Sequence, residues 1–301
     1  MDVINEIGMI GLGKMGLGLT KNLIRNGIKV VGYDAVQDTE VEGNFQRAAS
    51  LAEVVENLAP QRVIWLMVPA GEVTRQIVSE LGDLLSEGDI IIDGGNSYFK
   101  DSIANHQYLA QKGIYFLDCG SSGGMSGALN GGNFMIGGDE EAFAAVEYIF
   151  EKISCKDGYL YTGDPGSGHY LKMVHNGIEY AMMAAIGEGF DLLEHSQYDY
   201  DNEKVAKLWN NGSVIRSWLI ELAEEAFKED PKLEQIKGTM YSSGEGKWTV
   251  EEALRQQVAL PVITTSVMMR YRSLEEDTFT GKVVSSLRNG FGGHAIKRAG
   301  Q

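Results

Sequence analysis

Proline is scarce in this chain, with five in 301 residues. Cysteine is scarcer: Cys119 and Cys155 stand far apart, with no Cys-x-x-Cys and no His at ligand spacing. These shortages argue against a Pro/Gly low-complexity protein, a disulfide scaffold and a zinc site, so no metal is expected. Base is short as well, 26 Lys and Arg against 42 Asp and Glu, for a net charge of −16. Such a chain lacks the basic face that neutralising phosphates requires, so neither nucleic acid nor an anionic membrane is expected as a partner. Long apolar runs are missing too. The longest, Val63 to Val68, is too short to span a bilayer. The N-terminus, Met1-Asp2-Val3-Ile4-Asn5-Glu6, carries acids where a signal peptide needs base. A reducing cytoplasm is the expected location.

Glycine is what the chain has in excess. Average usage of about 7% predicts about 21, whereas there are 38, with 26 in residues 1–168 and 12 in residues 169–301. No Gly-X-Y period exists, which excludes collagen. Glycine in a well-patterned globular half signals turns with positive φ and close approach of backbone to a neighbour.

The length suggests two domains. Through the first half, short β-rich runs (Glu6–Ile10, Lys29–Tyr33, Arg62–Val68, Asp89–Asp93, Tyr115–Cys119, Phe134–Ile136) alternate with amphipathic helical stretches such as Lys14–Asn26, Glu72–Leu85 and Tyr98–Lys112. Ser50-Leu51-Ala52-Glu53 reads as a capping box opening another helix. Strands apolar throughout, alternating with helices, indicate a parallel sheet covered on both faces. After Gly163-Asp164-Pro165-Gly166-Ser167-Gly168 the pattern becomes helical, over Ser167–His195, Asn202–Phe227, Thr249–Gln257, Pro261–Arg272 and Leu274–Leu287, ending in a Gly-rich basic tail from Arg288 to Gln301.

Gly11-Leu12-Gly13-Lys14-Met15-Gly16 is a G-x-G-x-x-G turn between the first strand and a helix. In that setting the first glycine makes the turn, the second admits a pyrophosphate and the third lets helix and strand approach. The helix N-terminus then faces the diphosphate. Asp34, ending the second strand about twenty residues on, is placed to take the adenosine ribose hydroxyls. Its carboxylate would repel a 2′-phosphate, and neither Ala35 nor Val36 supplies an arginine, so NAD is favoured over NADP. The fold class expected is α/β: a Rossmann-like doubly wound parallel sheet over residues 1–165, then an all-α substrate and dimerisation domain with its tail over residues 166–301.

Lys172, His175, Asn176 and Glu179 are spaced i, i+3, i+4, i+7 and share one helical face. A solvated polar face is the ordinary alternative. The other faces, however, carry Leu171, Met173, Val174, Ile178, Ala181 and Met182, and a helix apolar nearly all round is buried. Its polar stripe must then line a cleft or pair internally. A desolvated lysine can serve as a base and a neighbouring carboxyl as an acid. Two more glycine loops, Gly94-Gly95-Asn96-Ser97 and Gly120-Ser121-Ser122-Gly123-Gly124, follow strand ends, where ligands bind in open α/β sheets. Asn96 and Ser122 are candidate ligand contacts. From Glu252 onward seven Lys and Arg outnumber four acids, a local +3 that suits a small anionic substrate.

These motifs together resemble the 6-phosphogluconate dehydrogenase family over nearly the whole chain. The most specific pieces are Ile92-Asp93-Gly94-Gly95-Asn96-Ser97, Ser122-Gly123-Gly124, Lys172 through Tyr180, Gly246-Lys247-Trp248-Thr249, and Arg288 with Phe291-Gly292 and His294. The resemblance implies oxidative decarboxylation of 6-phosphogluconate, with Lys172 as general base and Glu179 as general acid. It implies substrate contacts at Asn96, Ser122, Gly123, Gly124, His175, Asn176 and Tyr180, and phosphate ligands at Arg272 and Arg288. His294 would come from a neighbouring subunit, implying a homodimer or homotetramer with shared sites. Val68, Pro69 and Ala70 match the loop beside the nicotinamide. The chain resembles the short branch of the family, without a second helical repeat. Ser243 and Glu245 stand where longer members place a phosphate-binding Lys and Thr, and Asp34-Ala35-Val36 replaces the Asn-Arg-Thr of NADP enzymes. The alternatives are a non-decarboxylating 3-hydroxyacid dehydrogenase of the hydroxyisobutyrate type, distinguished by CO2 release, and a non-catalytic NAD-binding sensor.

Overall fold

A computed structural model describes residues 4–36 and 40–298. The acidic start at residues 1–3 and the last three residues of the basic tail lie outside the described residues. The chain forms two compact units, residues 1–176 and 177–301.

The first unit follows the expected alternation: β1 Glu6–Ile10, α1 Lys14–Arg25, β2 Lys29–Tyr33, β3 Phe45–Arg47, α2 Leu51–Glu56, β4 Val63–Leu66, α3 Glu72–Leu84, β5 Ile90–Asp93, α4 Phe99–Ala110, β6 Tyr115–Ser122, α5 Gly124–Asn130, β7 Gly132–Gly138, α6 Glu140–Ile153 and β8 Ser154–Gly163. The strands form one sheet in the order β3-β2-β1-β4-β5-β6-β7-β8. Pairing is parallel from β3 across to β6, antiparallel between β6 and β7, and parallel again between β7 and β8. Only residues 123–131 separate β6 from β7, fewer than the dozen or so a parallel crossover needs, so the strand turns back.

Period-2 alternation explains why the strands read as continuous apolar runs. Ile7, Met9, Val63, Trp65, Ile90 and Ile92 enter one core with Leu19 and Leu23 of α1 and Phe143, Ile149 and Phe150 of α6. Ile10, Val31, Ile64, Leu66 and Ile91 enter the other with Val54 of α2, Leu81 of α3 and Leu109 of α4. Both faces are thus buried, as a doubly wound sheet requires. At α2 the Ser50 half of the capping box forms, its Oγ accepting from Glu53 N–H at 3.1 Å, whereas Glu53 Oε2 accepts from Ala49 N–H, one residue before the cap, at 2.8 Å.

Helix α7, Ser167–Glu194, runs through the division between the units, which falls between Asn176 and Gly177. The second unit adds α8 Asn202–Asn210, α9 Trp218–Glu229, α10 Glu245–Gln256, α11 Pro261–Ser273 and α12 Phe279–Gly292. Its core gathers Phe190, Ala206, Ile220 and Phe227, with the Phe190 and Phe227 rings 4.8 Å apart. The single helix expected over Asn202–Phe227 is two helices, because Gly212 takes φ +88° and breaks the run. Among the described residues no helix is long and apolar enough to cross a membrane.

Candidate active site

Because the strands from β3 to β6 are parallel, their carboxyl ends share one edge of the sheet, and the first-half candidates follow those ends. The turn after β1 has the geometry its three glycines suggested. Gly11 adopts φ +93°, and a Cβ there would sit 2.4 Å from Met67 O; at Gly16 it would sit 2.0 Å from Gly11 O. A Cβ at Gly13 would meet nothing within 4 Å, which leaves open space in front of the α1 N-terminus. These residues therefore fit a dinucleotide diphosphate. Asp34 belongs to the same turn: Oδ2 accepts from Leu12 N–H at 2.7 Å and Oδ1 from Val36 N–H at 2.8 Å.

Val68-Pro69-Ala70 follows β4, and Thr74 Oγ1 pins it by donating to Pro69 O at 3.0 Å. The Gly94-Gly95 loop lies alongside, since Gly94 N–H donates to Leu66 O and a Cβ on Gly95 would come within 3.0 Å of Val68 O. Asp93 Oδ1 accepts from Gly95 N–H at 3.1 Å, and the turn leaves Asn96 exposed.

The most constrained part of the first unit is the entry of α7. Asp118 on β6 is fully buried, and its two oxygens accept from Gly166 N–H and His169 N–H, each at 2.7 Å. On the far side of α7, His169 Nδ1 lies 2.7 Å from Ser102 Oγ and the Tyr170 ring packs edge-on against Phe99. Gly168 abuts the sheet so closely that a Cβ would fall 2.4 Å from Met135 O. One turn later Lys172 is buried against β6, where a Cβ on Gly120 would lie 2.3 Å from that of Lys172. His175 follows, its Nε2 3.2 Å from Ser122 Oγ and its Nδ1 2.9 Å from Asn176 Oδ1. Lys172, His175, Asn176 and Ser122 are thus brought together at the end of β6, with Gly123 at φ +102° and Gly124 at φ +57° opening α5 beside them. Cys119 is on the same strand, but burial pushes its thiol well above the ordinary range, which removes it as a nucleophile at neutral pH.

Asp118 was not singled out from sequence, and Gly120, read as the start of a loop, lies inside β6. The signal was available in a charged residue followed by glycine inside an otherwise apolar strand, Tyr115-Phe116-Leu117-Asp118-Cys119-Gly120. Asp118→Ala would leave two buried N–H groups without acceptors, and we expect a loss of about 3 kcal/mol in folding stability. Denaturant unfolding checks this; a change under about 1 kcal/mol would mean that other contacts hold the α7 entry.

The second unit holds Glu179 and Tyr180. Tyr180 is buried, and its hydroxyl accepts from Ser243 N–H at 3.2 Å. Its ring lies between Gly246, where a Cβ would approach to 2.7 Å, and the Arg270 guanidinium, 3.7 Å from the ring centroid. A guanidinium over a tyrosine face is favourably held. Arg270, not Arg272, is therefore the arginine that neighbours Tyr180. Arg272 is exposed, with Nη1 donating to Glu275 O at 3.0 Å. Arg288 and His294 are exposed, on and beyond α12. Sequence reading overlooked Arg270 because it sits among Val267, Met268 and Met269 and reads as one more charge. Glu245 is buried, and neither carboxylate oxygen has a hydrogen-bond partner among the described residues.

The expectation that α7 is buried nearly all round fails on one side. Lys172, Met173 and Asn176 are buried, whereas Leu171, Ile178 and Met182 are exposed, Ile178 by 51%. Part of its polar stripe faces inward and an apolar stripe outward. An all-apolar circumference inferred from composition cannot say which side the rest of the chain covers.

Comparison with known proteins matches this architecture. The model of the NAD binding domain of 6-phosphogluconate dehydrogenase matches residues 6–163, and that of the 6-phosphogluconate dehydrogenase C-terminal domain matches residues 168–299. The chain is 55% identical over 297 residues to the Bacillus subtilis protein YqeC, provisionally named a 6-phosphogluconate dehydrogenase, covering 97% of this chain and 99% of that one. It is 41% identical over 298 residues to the NAD(+)-dependent, decarboxylating 6-phosphogluconate dehydrogenase of Haloferax volcanii, with the same coverage. Among solved structures, the 6-phosphogluconate dehydrogenase of Plasmodium falciparum, determined free, with its cofactor NADP+ and with its substrate 6-phosphogluconate, superposes with a TM-score of 0.82 at 29% identity. That match covers 98% of this chain and 67% of the other. A doubly wound sheet with an open glycine turn, followed by the helical domain that completes this family, leads to one conclusion: the chain belongs to the 6-phosphogluconate dehydrogenase family, and its sheet domain is that family's NAD-binding domain.

Proposed function

We propose that this protein oxidatively decarboxylates 6-phosphogluconate to ribulose 5-phosphate and CO2 with NAD as the preferred cofactor. The observation that carries the reading is the buried Lys172 at the end of β6, grouped with Ser122, His175 and Asn176, with Glu179 two turns along the same helix. Gly11, Leu12, Gly13, Lys14, Met15 and Gly16 would hold the diphosphate, Asp34 the ribose, and Val68, Pro69, Ala70 and Asn96 the nicotinamide end. The bound cofactor supplies the hydride acceptor.

Lys172 takes the proton of the substrate's C3 hydroxyl. The resulting β-keto acid loses CO2 because its keto oxygen accepts the electrons, and the Lys172 ammonium stabilises that developing oxyanion. Glu179 protonates C1 of the enediol to give the ketose. Asn96, Ser122, Gly123, Gly124, His175, Asn176 and Tyr180 orient the sugar acid. Arg270, stacked on Tyr180, joins Arg272 and Arg288 as a phosphate ligand, in place of the Lys and Thr absent at Ser243 and Glu245.

A homo-oligomer, dimer or tetramer, completes the site. On α12 no residue is buried, and Phe279, Val283, Leu287 and Phe291 recur every four residues, all exposed. A second copy covering this stripe and the outward face of α7 would bring in His294. We place the boundary of the substrate domain at Pro165–Gly166 and the enzyme in the cytoplasm, where two free cysteines are at home.

The test is steady-state NADH formation with 6-phosphogluconate, CO2 being trapped in parallel. We expect stoichiometric CO2 and a preference for NAD over NADP of about 100-fold in kcat/KM, the scale of one charge repulsion in a shielded site. NADH without CO2 would make it a hydroxyisobutyrate-type enzyme. A strong NADP preference would overturn the reading of Asp34.

A further inference from the structure

The adenosine end of the nucleotide site contains a cation that sequence spacing did not reveal. Arg47 ends β3, and the parallel register pairs it with Gly32 of β2, which puts it at the edge of the sheet where Asp34 emerges. Its Nη2 donates to the carbonyl oxygen of Asp34 at 3.1 Å. Its Nη1 is buried and has no hydrogen-bond partner among the described residues. A guanidinium can fill five donor positions, and a buried N–H left unsatisfied is costly. The Asp34 carboxylate itself is held by the N–H groups of Leu12 and Val36. One residue thus carries the anion that would meet the ribose and the carbonyl that anchors a cation.

We infer that Arg47 is a selectivity-determining residue of the nucleotide site: it positions Asp34 through the main chain, and it is the counter-charge for a 2′-phosphate once the Asp34 carboxylate is gone. The inference rests on the reading of Asp34 as the ribose ligand. In the natural chain the carboxylate dominates, because its negative charge repels a 2′-phosphate. With a short neutral side chain at position 34, the spare N–H and the charge become available to phosphate oxygens, which a guanidinium binds well.

Calorimetric binding of 5′-ADP and 2′,5′-ADP to the full-length protein reads this without turnover. Asp34→Ser should tighten 2′,5′-ADP by about 30-fold, a typical gain for a charge-assisted bidentate contact. Adding Arg47→Gln should return 2′,5′-ADP to within about threefold of the natural protein, and Arg47→Lys in the same background should retain part of the gain. A merely structural Arg47 would shift both nucleotides by the same factor. If Asp34→Ser brings no gain, the ribose reading and the inference fall together. If the gain survives Arg47→Gln, only the inference falls. Should the Gln variant fail to fold, Arg47→Lys decides, since undiminished affinity for 2′,5′-ADP there would exclude recognition by the guanidinium fork.

Discussion

Replacing Lys172 by Met should lower kcat by about 10⁴-fold if, as proposed, one side chain supplies both the general base and the charge that stabilises the oxyanion formed on decarboxylation. Methionine keeps the unbranched stem that packs beside Gly120 and removes only the ammonium. The loss should therefore be chemical and not structural. Binding of NAD, measured by calorimetry, should stay near that of the natural protein, since the glycine turn and Asp34 are built from β1, β2 and α1. Near-normal turnover in this variant would remove Lys172 as the base. Loss of NAD affinity together with turnover would mean instead that the α7 entry had collapsed.

Glu179→Gln carries the second large effect, a fall in kcat of about 10³-fold, within the range for removing a positioned acid. Its signature separates it from Lys172. The amide cannot deliver a proton to C1, yet the oxidation step needs no proton from this residue. A rapid burst of reduced cofactor, close to one equivalent per site, should precede a slow steady state, with CO2 released in the burst and ribulose 5-phosphate lagging behind. No burst, with oxidation itself slowed, would assign Glu179 to the first step. Unchanged product formation would remove it from the chemistry.

Much of this was legible in the residues because the features concerned are local. The first two strands and the start of α1 fall at the bounds their apolar runs and glycine turn indicated, and the 28-residue α7 departs by one residue from its expected end. What was missed depends on partners distant in sequence. β3 has only three residues and shows no pattern until β2 lies beside it. β8 begins with Ser154-Cys155-Lys156-Asp157, polar residues tolerated because the strand lies at the edge of the sheet. Arg47, Asp118 and Arg270 acquire meaning only through Asp34, the α7 N-terminus and Tyr180, at separations no motif spans. The stripe on α7 was recognised by its period, but which side faces inward follows from the fit of Gly120 and Gly168 against the helix.

The pairing of Gly120 with Lys172 bears on how relatives should be compared. A side chain at position 120 would collide first with the Cβ of residue 172, an atom every amino acid except glycine possesses. The constraint on Gly120 thus comes from the distance between helix and strand and is indifferent to the ammonium at the end of the lysine. A descendant that lost the lysine, and with it all turnover, would still be selected to keep the glycine as long as it folded. Gly120 is thus a marker of common ancestry and shared architecture, and retention of activity has to be judged from position 172 itself.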